Sequence, residues 1–341
     1  MSLLLGLLII SFIINSLFIV PYINLLYRMN FFKEKTAVSI KNKDAASVHI
    51  RSKARTPEGA GLQIIVLTSL LFAVVFPVLK IMGVPITHVY PINDELNIIF
   101  FSFISFGLLG LYDDVIKFFE LDSHLGYAGL RTKTKFLLQS LLGLVIGGLM
   151  YFNLGLSIIN IPFLGVIHFG ILFIPLAAFL IVGFANAVNI TDGMDGLAPG
   201  LLMIALFGFL MLSVSILDTP ISIFIALWLG AIIAFLYFNI YPARIFMGDS
   251  GAMAFGATLA VIGLLLGKIV GLIVIGIPFL VDGLSSFLQV LSVEFRGKRL
   301  LPVAPLHYWL LKIGWSEPKI VQRAWLAAIM IVVFGLWLAL I

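Results

Sequence analysis

No cysteine occurs anywhere in the 341 residues. Disulfides and thiolate-bound metals are therefore excluded. Histidine is sparse too, with five in the chain, so a bound metal would rest on oxygen donors. That favours Mg²⁺ over zinc or copper. Charge is the third scarcity: charged residues make up 11% of the chain against 62% hydrophobic ones, far from the balance of a soluble domain. The net charge of +5 is not a nucleic-acid signal here, because the Lys and Arg residues gather in a few loops, as they do beside a membrane. No nucleic-acid partner is expected.

What fills the chain is apolar sequence in segments long enough to cross hydrocarbon. Some ten spans are predicted, near 3–27, 62–82, 97–112, 135–152, 169–188, 197–216, 221–238, 251–267, 270–293 and 320–340. The first lacks a basic n-region and a small-residue cleavage site, so it reads as a retained helix. With no clean repeat or low-complexity linker, residues 1–341 read as one all-α, polytopic membrane domain in a lipid bilayer. The loops near 28–61, 113–134, 189–196, 239–250 and 294–319 carry nearly all the Lys and Arg, whereas the opposite loops carry Lys80 and Lys268. This bias places the basic loops in the cytoplasm and both termini outside. Segment 153–168, with Asn153, Gly155, Pro162 and Gly165 among alternating apolar residues, reads as a short hairpin or loop outside. Gly276–Pro278 and Gly283 can break or kink the span that holds them.

Acids beside a bilayer are costly and are candidate functional groups by default. Three clusters lie on the cytoplasmic side; Asn93-Asp94-Glu95 is the polar cluster on the other. The first, Gly110-Leu-Tyr-Asp-Asp-Val-Ile-Lys117, sets Asp113 beside Asp114 with Lys117 one helical turn on from Asp113, where it can partly neutralise that acid. The second is Asn186-Ala-Val-Asn-Ile-Thr-Asp-Gly-Met-Asp-Gly-Leu-Ala-Pro199. Its acids Asp192 and Asp195 are three apart, a spacing that shares a face on a helical turn and suits a cation or a phosphate-bound metal. The third, Phe238 to Gly251, sets Asp249 between glycines just before a span. Amides at a helix N-terminus with a carboxylate beside them suit a magnesium-bound phosphate; Asp249-Ser250 capping the helix is the plainer alternative. Lys53, Lys117, Arg131, Lys133 and Lys135 can hold further phosphate charge. Read from the residues alone, this is Mg²⁺-assisted phosphoryl chemistry on a substrate that reaches the inner leaflet.

These clusters, in this order, resemble the polyprenyl-phosphate phosphosugar transferases. Gly297-Lys-Arg-Leu-Leu-Pro-Val-Ala-Pro-Leu-His307, then Lys312-Ile-Gly-Trp-Ser-Glu-Pro-Lys319 and Arg323-Ala-Trp325, are similar to the phospho-N-acetylmuramoyl-pentapeptide transferase branch. So are Leu284 to Ser292, Gly129 to Phe136 with Gln139, and Thr56-Pro57. The resemblance covers nearly the whole chain. It implies ten helices and an Mg²⁺-dependent transfer of phospho-MurNAc-pentapeptide from UDP-MurNAc-pentapeptide to undecaprenyl phosphate, giving lipid I and UMP. It also implies a bacterial inner membrane, a cytoplasmic active site and a homodimer.

Residue by residue, the resemblance makes Asp249 the metal ligand. Asp192 joins it at the metal–phosphate centre with Asn189. Asp113 deprotonates or positions the lipid phosphate, with Asp114 beside it, and Lys117 and Lys133 stand near the phosphates. Gly193, Met194, Asp195, Asn239, Phe246 and Gln289 line the nucleoside pocket, and His307 contacts the nucleotide-sugar. Two departures stand out. His307-Tyr308-Trp309 replaces three histidines, and Thr56-Pro-Glu-Gly-Ala-Gly61 replaces Thr-Pro-Thr-Met-Gly-Gly, with His49 and Lys53 only near the family's spacing. The first motivates a sibling reading, transfer of phospho-GlcNAc or a related hexosamine. A transporter is the alternative from another class; it would use midplane acids, and Asp282 is the one acid placed deeper in a span.

Overall fold

The computed structural model describes residues 1–29, 31, 56–119 and 129–341. Lys53 and His49 lie outside the described residues. Ten described helices are long and apolar enough to cross a membrane, as the composition predicts. We number the helices α1 (Ser2–Arg28), α2 (Ala60–Ile81), α3 (Ile92–Phe118), α4 (Thr132–Leu154), α5 (Phe173–Thr191), α6 (Leu197–Ser215), α7 (Thr219–Asn239), α8 (Gly248–Leu265), α9 (Ile269–Ile275), α10 (Ile277–Arg296), α11 (Leu306–Lys312) and α12 (Glu317–Leu340). Between α4 and α5, β1 (Ile158–Ile161) pairs antiparallel with β2 (Gly165–His168), Ile158 opposite His168 and Ile161 opposite Gly165. The hairpin read from segment 153–168 is thus present.

The predicted span 270–293 is two helices. Gly276 ends α9 and opens α10, with Pro278 in the first turn. Proline has no N–H to donate and its ring crowds the carbonyl four residues back, so a helix that meets it starts afresh. A Cβ at 276 would stand 2.3 Å from the Phe184 ring, so the break point is also held against α5.

α8 is the axis of the bundle, and nearly its whole apolar window is buried. Lipid tails are as apolar as leucine, so helices here associate by close packing rather than by hydrophobic exclusion. Small residues make that possible. A Cβ at Gly61 would lie 2.2 Å from the backbone of Gly251, and one at Gly110 would lie 2.3 Å from the Asp249 carbonyl oxygen. α2 and α3 therefore approach the start of α8 at backbone contact. Deeper in, Phe103, Phe224, Trp228 and Phe255 pack ring against ring between α3, α7 and α8. α10 differs: it is strongly amphipathic, yet Leu284, Phe287, Val290 and Val293 are exposed along it.

Candidate active site

Asp113, Asp114 and Lys117 are helical residues, not loop residues, because α3 runs to Phe118 rather than stopping near 112. The polar residues of α3 extend its buried face rather than leaving it: Phe103, Phe106, Gly107 and Gly110 lead by helical steps to Asp113 and Asp114. Across from them, α4 delivers Lys135 and α8 begins with Asp249. Lys117 Nζ lies 2.8 Å from Asp113 Oδ2 and also bonds Asp249 Oδ2. Lys135 Nζ bridges the same two oxygens at 2.9 and 2.8 Å. Two ammonium groups thus cross-link two carboxylates from three helices. Asp113 is further fixed by the Leu130 N–H, 2.7 Å from its Oδ1. Gly129 makes that contact possible: its φ is +98°, and a Cβ there would strike both Lys117 and Asp113.

Asp114 does something different. Its Oδ1 and Oδ2 accept from the backbone N–H groups of Asp249 and Ser250, each at 3.0 Å. No side chain of α8 caps its own first turn. Asp114 caps it from α3, satisfying two amides that a helix start leaves open and placing negative charge at the positive end of the helix. That leaves the Asp249 side chain uncommitted to capping and turned toward the lysines. A small cavity of about 20 Å³ lies beside this point, lined by Phe31, Glu58, Asp114, Lys117 and Phe118.

Lys133 and Lys135 separate clearly. Lys133 is exposed in the first turn of α4 and is not part of the cluster, whereas Lys135 is its second cation. Sequence reasoning named Lys135 only as a general basic residue, yet a local signal exists. The buried positions of α4 are Gln139, Gly143, Ile146, Gly147 and Met150, and stepping back one turn from Gln139 reaches Lys135, not Lys133. Gln139 itself accepts from Asn186 Nδ2 at 2.7 Å and reaches Met253 Sδ at 3.1 Å, tying α4 to α5 and α8 one turn below the lysine.

The expectation that Asp192 and Asp195 share a helical face is corrected. α5 ends at Thr191 and α6 begins at Leu197, so 192–196 is a tight turn, with Gly196 at φ +78°. A turn sends the two acids different ways. Asp192 closes α5, half-buried, one residue past the helix that carries Asn189. Asp195 is buried: its Oδ2 accepts from the Ala243 N–H at 3.0 Å, and its own N–H donates to Glu317 Oε1 at 2.6 Å. Asn239 bridges the same region, accepting from the Gly196 N–H at 2.9 Å and donating to the Ile245 carbonyl at 2.8 Å. Phe246, half-buried, is sewn by its backbone to Pro57, Gly59 and Ala60. Met194 is buried within the turn and Gly193 is half-buried.

Gln289 makes its amide bonds to the backbone of Leu300 and Leu301, so it braces the loop after α10. His307 is buried against Gly193, and the adjacent Tyr308 hydroxyl donates to the Gly193 carbonyl at 3.1 Å. Asp282, the deeper acid that a transporter would use, pairs with His307 Nδ1 at 2.9 Å.

The donor chemistry can be tested against magnesium. Asp113 and Asp249 aim oxygens at positions now held by two ammonium groups, which marks the spot as one built for positive charge. Among the described residues, no group of three or more His, Cys, Asp or Glu side chains forms a cage for a metal. An Mg²⁺ held here would take one or two carboxylates completed by substrate phosphates and water, not a closed all-protein cage.

Comparison with known proteins narrows the chemistry. Residues 96–267 match the family model described as glycosyl transferase family 4. The chain is 36% identical over 315 residues to a phospho-N-acetylmuramoyl-pentapeptide-transferase of Clostridium perfringens (strain 13 / Type A), covering 92% of each protein. It is 34% identical over 320 residues to the protein of that name from Caldanaerobacter subterraneus subsp. tengcongensis, covering 93% of this chain and 92% of the relative. With the one from Staphylococcus aureus (strain bovine RF122 / ET3-1) the identity is 38% over 245 residues, 71% and 75% of the two.

Proposed function

We infer the chemistry from the premise that the chain belongs to glycosyl transferase family 4 and, within it, to the phospho-N-acetylmuramoyl-pentapeptide transferases. The protein transfers phospho-N-acetylmuramoyl-pentapeptide from its UDP donor to a polyprenyl phosphate in peptidoglycan synthesis. The observation that carries the assignment of the site is the cross-link of Asp113 and Asp249 by Lys117 and Lys135 at one end of the bundle. The bias of Lys and Arg toward the loops at that end supports a cytoplasmic face, and the family supports a bacterial inner membrane, where a soluble nucleotide donor and an inner-leaflet lipid meet.

In the reaction, an oxygen of undecaprenyl phosphate attacks the β-phosphorus of UDP-MurNAc-pentapeptide. The bond from that phosphorus to the bridging oxygen breaks, and UMP leaves with the electron pair. Phosphoryl transfer asks a protein mainly to position and to neutralise charge. Lys117 and Lys135 supply two fixed positive charges to the diphosphate and the lipid phosphate. Asp113 holds both lysines in place and orients the attacking lipid phosphate. Asp249 and Asp192, with the donor's diphosphate, would hold Mg²⁺, which neutralises charge on the transferring group. Asn189 and Gly193 shape the entry beside Asp192. The braced turn of Asp195, Asn239 and Phe246 forms the floor of the uridine pocket, and its rigidity keeps the donor in register for in-line attack.

The test is UMP release from UDP-MurNAc-pentapeptide by the full chain in lipid vesicles containing undecaprenyl phosphate. Release that needs the lipid phosphate, is abolished by chelating Mg²⁺ and collapses in Lys135→Met supports the assignment. A phosphorylated protein trapped without the lipid acceptor would contradict direct attack.

A further inference from the structure

One polar group that the transfer chemistry leaves unexplained is the buried carboxylate Asp282. It lies on α10, where it and Phe279 are the buried residues and the rest are exposed or half-exposed. Its Oδ2 is 2.9 Å from His307 Nδ1, and its Oδ1 accepts from the His307 backbone N–H at 3.3 Å. One turn on, the Ser285 hydroxyl accepts from the Leu306 N–H at 3.0 Å. α10 therefore holds both the backbone start of α11 and the first ring on it. The other ring nitrogen, His307 Nε2, is fully buried and makes no hydrogen bond among the described residues. It points at the turn after α5: a Cβ on Gly193 would stand 2.6 Å from it. The Tyr308 hydroxyl, bonded to the Gly193 carbonyl, fixes the ring pair against that turn.

A carboxylate can only accept, so the atom facing it must carry the hydrogen. In a neutral imidazole one nitrogen donates and the other accepts, and the partner of the first decides the role of the second. We propose that Asp282 is a positioning residue that fixes His307 as the Nδ1–H tautomer, presenting a bare Nε2 as a hydrogen-bond acceptor at the Gly193 turn for a hydroxyl or amide N–H of the nucleotide-sugar donor. The identity of that donor rests on the transferase reading; the tautomer does not. The acceptor character separates this position from the lysine cluster. Lys117 and Lys135 take the anionic phosphates, and Nε2 takes a neutral donor group from the sugar side. Leaving a site's polar atom unpaired is the strong form of discrimination, because a ligand without the matching group strands it.

A purely structural role for Asp282, capping α11, is separable. Asp282→Asn keeps the oxygen that accepts from the His307 backbone, yet its amide can donate to Nδ1, which forces the hydrogen onto Nε2. The shape survives and the polarity reverses. The first readout is the ring-nitrogen spectrum of ¹⁵N-histidine-labelled protein in bilayers, the His307 signals being identified by their loss in His307→Gln. The expected result is a protonated Nδ1 and a bare Nε2 in the wild type and in Asp282→Glu, with the two exchanged in Asp282→Asn. The second is the steady-state split. Asp282→Asn raises KM for the UDP-sugar about tenfold or more and leaves KM for undecaprenyl phosphate unchanged, Asp282→Glu restores it, and Asp282→Asn has no further effect in a His307→Ala background. A protonated Nε2 in the wild type overturns the proposal, as does an Asp282→Asn protein whose tautomer or donor KM is unchanged. If UDP-MurNAc-pentapeptide is not turned over at all, the transferase reading fails while the spectrum still decides the tautomer.

Discussion

The two ends of the bundle bury acids in opposite ways. At one end Asp113 and Asp249 each meet two ammonium groups, and Asp114 meets two backbone N–H groups. At the other, Glu95 in the first turn of α3 is fully buried, and among the described residues no cation pairs with its carboxyl. It faces Asp218, which caps α7 through the Ile221 N–H at 3.1 Å. Tyr90 packs close enough that burial, then the negative charges of Glu95 and Asp218, push its phenol above the ordinary range. The surrounding contacts are neutral: Thr87 and Thr219 bond through hydroxyls 3.0 Å apart and through backbone. An acid cluster is therefore not by itself a sign of chemistry. What separates the two acid clusters, among the described residues, is paired positive charge: Lys117 and Lys135 reach the first, and no lysine or arginine reaches Glu95.

That comparison can be broken in several places. The largest effect is expected for Asp249→Asn, which removes the carboxylate shared by both lysines and the proposed metal. UMP release should fall on the order of 10³-fold, measured in vesicles at saturating donor. Next is a pair of lysines two residues apart. Lys135→Met should cost roughly 10²-fold in kcat/KM, whereas Lys133→Met should stay within about twofold; equal losses would erase the distinction drawn from α4. Asp114→Asn comes third. Asparagine offers one acceptor oxygen to two N–H groups, so one amide at the start of α8 loses its partner, at about 1 kcal/mol or more. A lowered melting temperature in detergent checks this. The smallest effect belongs to the opposite end: Glu95→Gln should leave UMP release within about twofold. A loss near that of Lys135→Met would mean the two ends are coupled.

The local features were readable in advance and the long-range ones were not. The ten spans follow from runs of apolar residues, and the hairpin from the Gly and Pro around residues 155–165. Lys117 follows because four residues along a helix are neighbours. Lys135 and Asp249 are 114 positions apart, and nothing in either local pattern announces their contact. The first turn of α4, Arg131-Thr-Lys-Thr-Lys135, is polar all round, so only the buried stripe further along shows which lysine points inward. The Asp192–Asp195 spacing misled because a helical reading was applied to five residues that form a turn. The bonds of Gln289 were equally hidden: its amide is committed in space to the backbone of Leu300 and Leu301. Asp282 stood out as an acid inside an apolar span, but its partner His307 lies 25 residues away on a different helix.

The replacement of three histidines by His307-Tyr308-Trp309 bears on which sugar is carried. The structure gives Tyr308 a fixed task, holding the Gly193 carbonyl, so the position is occupied by a brace rather than left vacant. The central claim, that the Lys–Asp cluster serves transfer of phospho-MurNAc-pentapeptide, is tested most directly by one assay. UMP release is measured with UDP-MurNAc-pentapeptide and, in parallel, UDP-GlcNAc, each with undecaprenyl phosphate and with or without Mg²⁺, for the wild type and Asp249→Asn. The account predicts release only with UDP-MurNAc-pentapeptide and Mg²⁺, and only from the wild type. Release from UDP-GlcNAc alone, or release that survives Asp249→Asn undiminished, would contradict it.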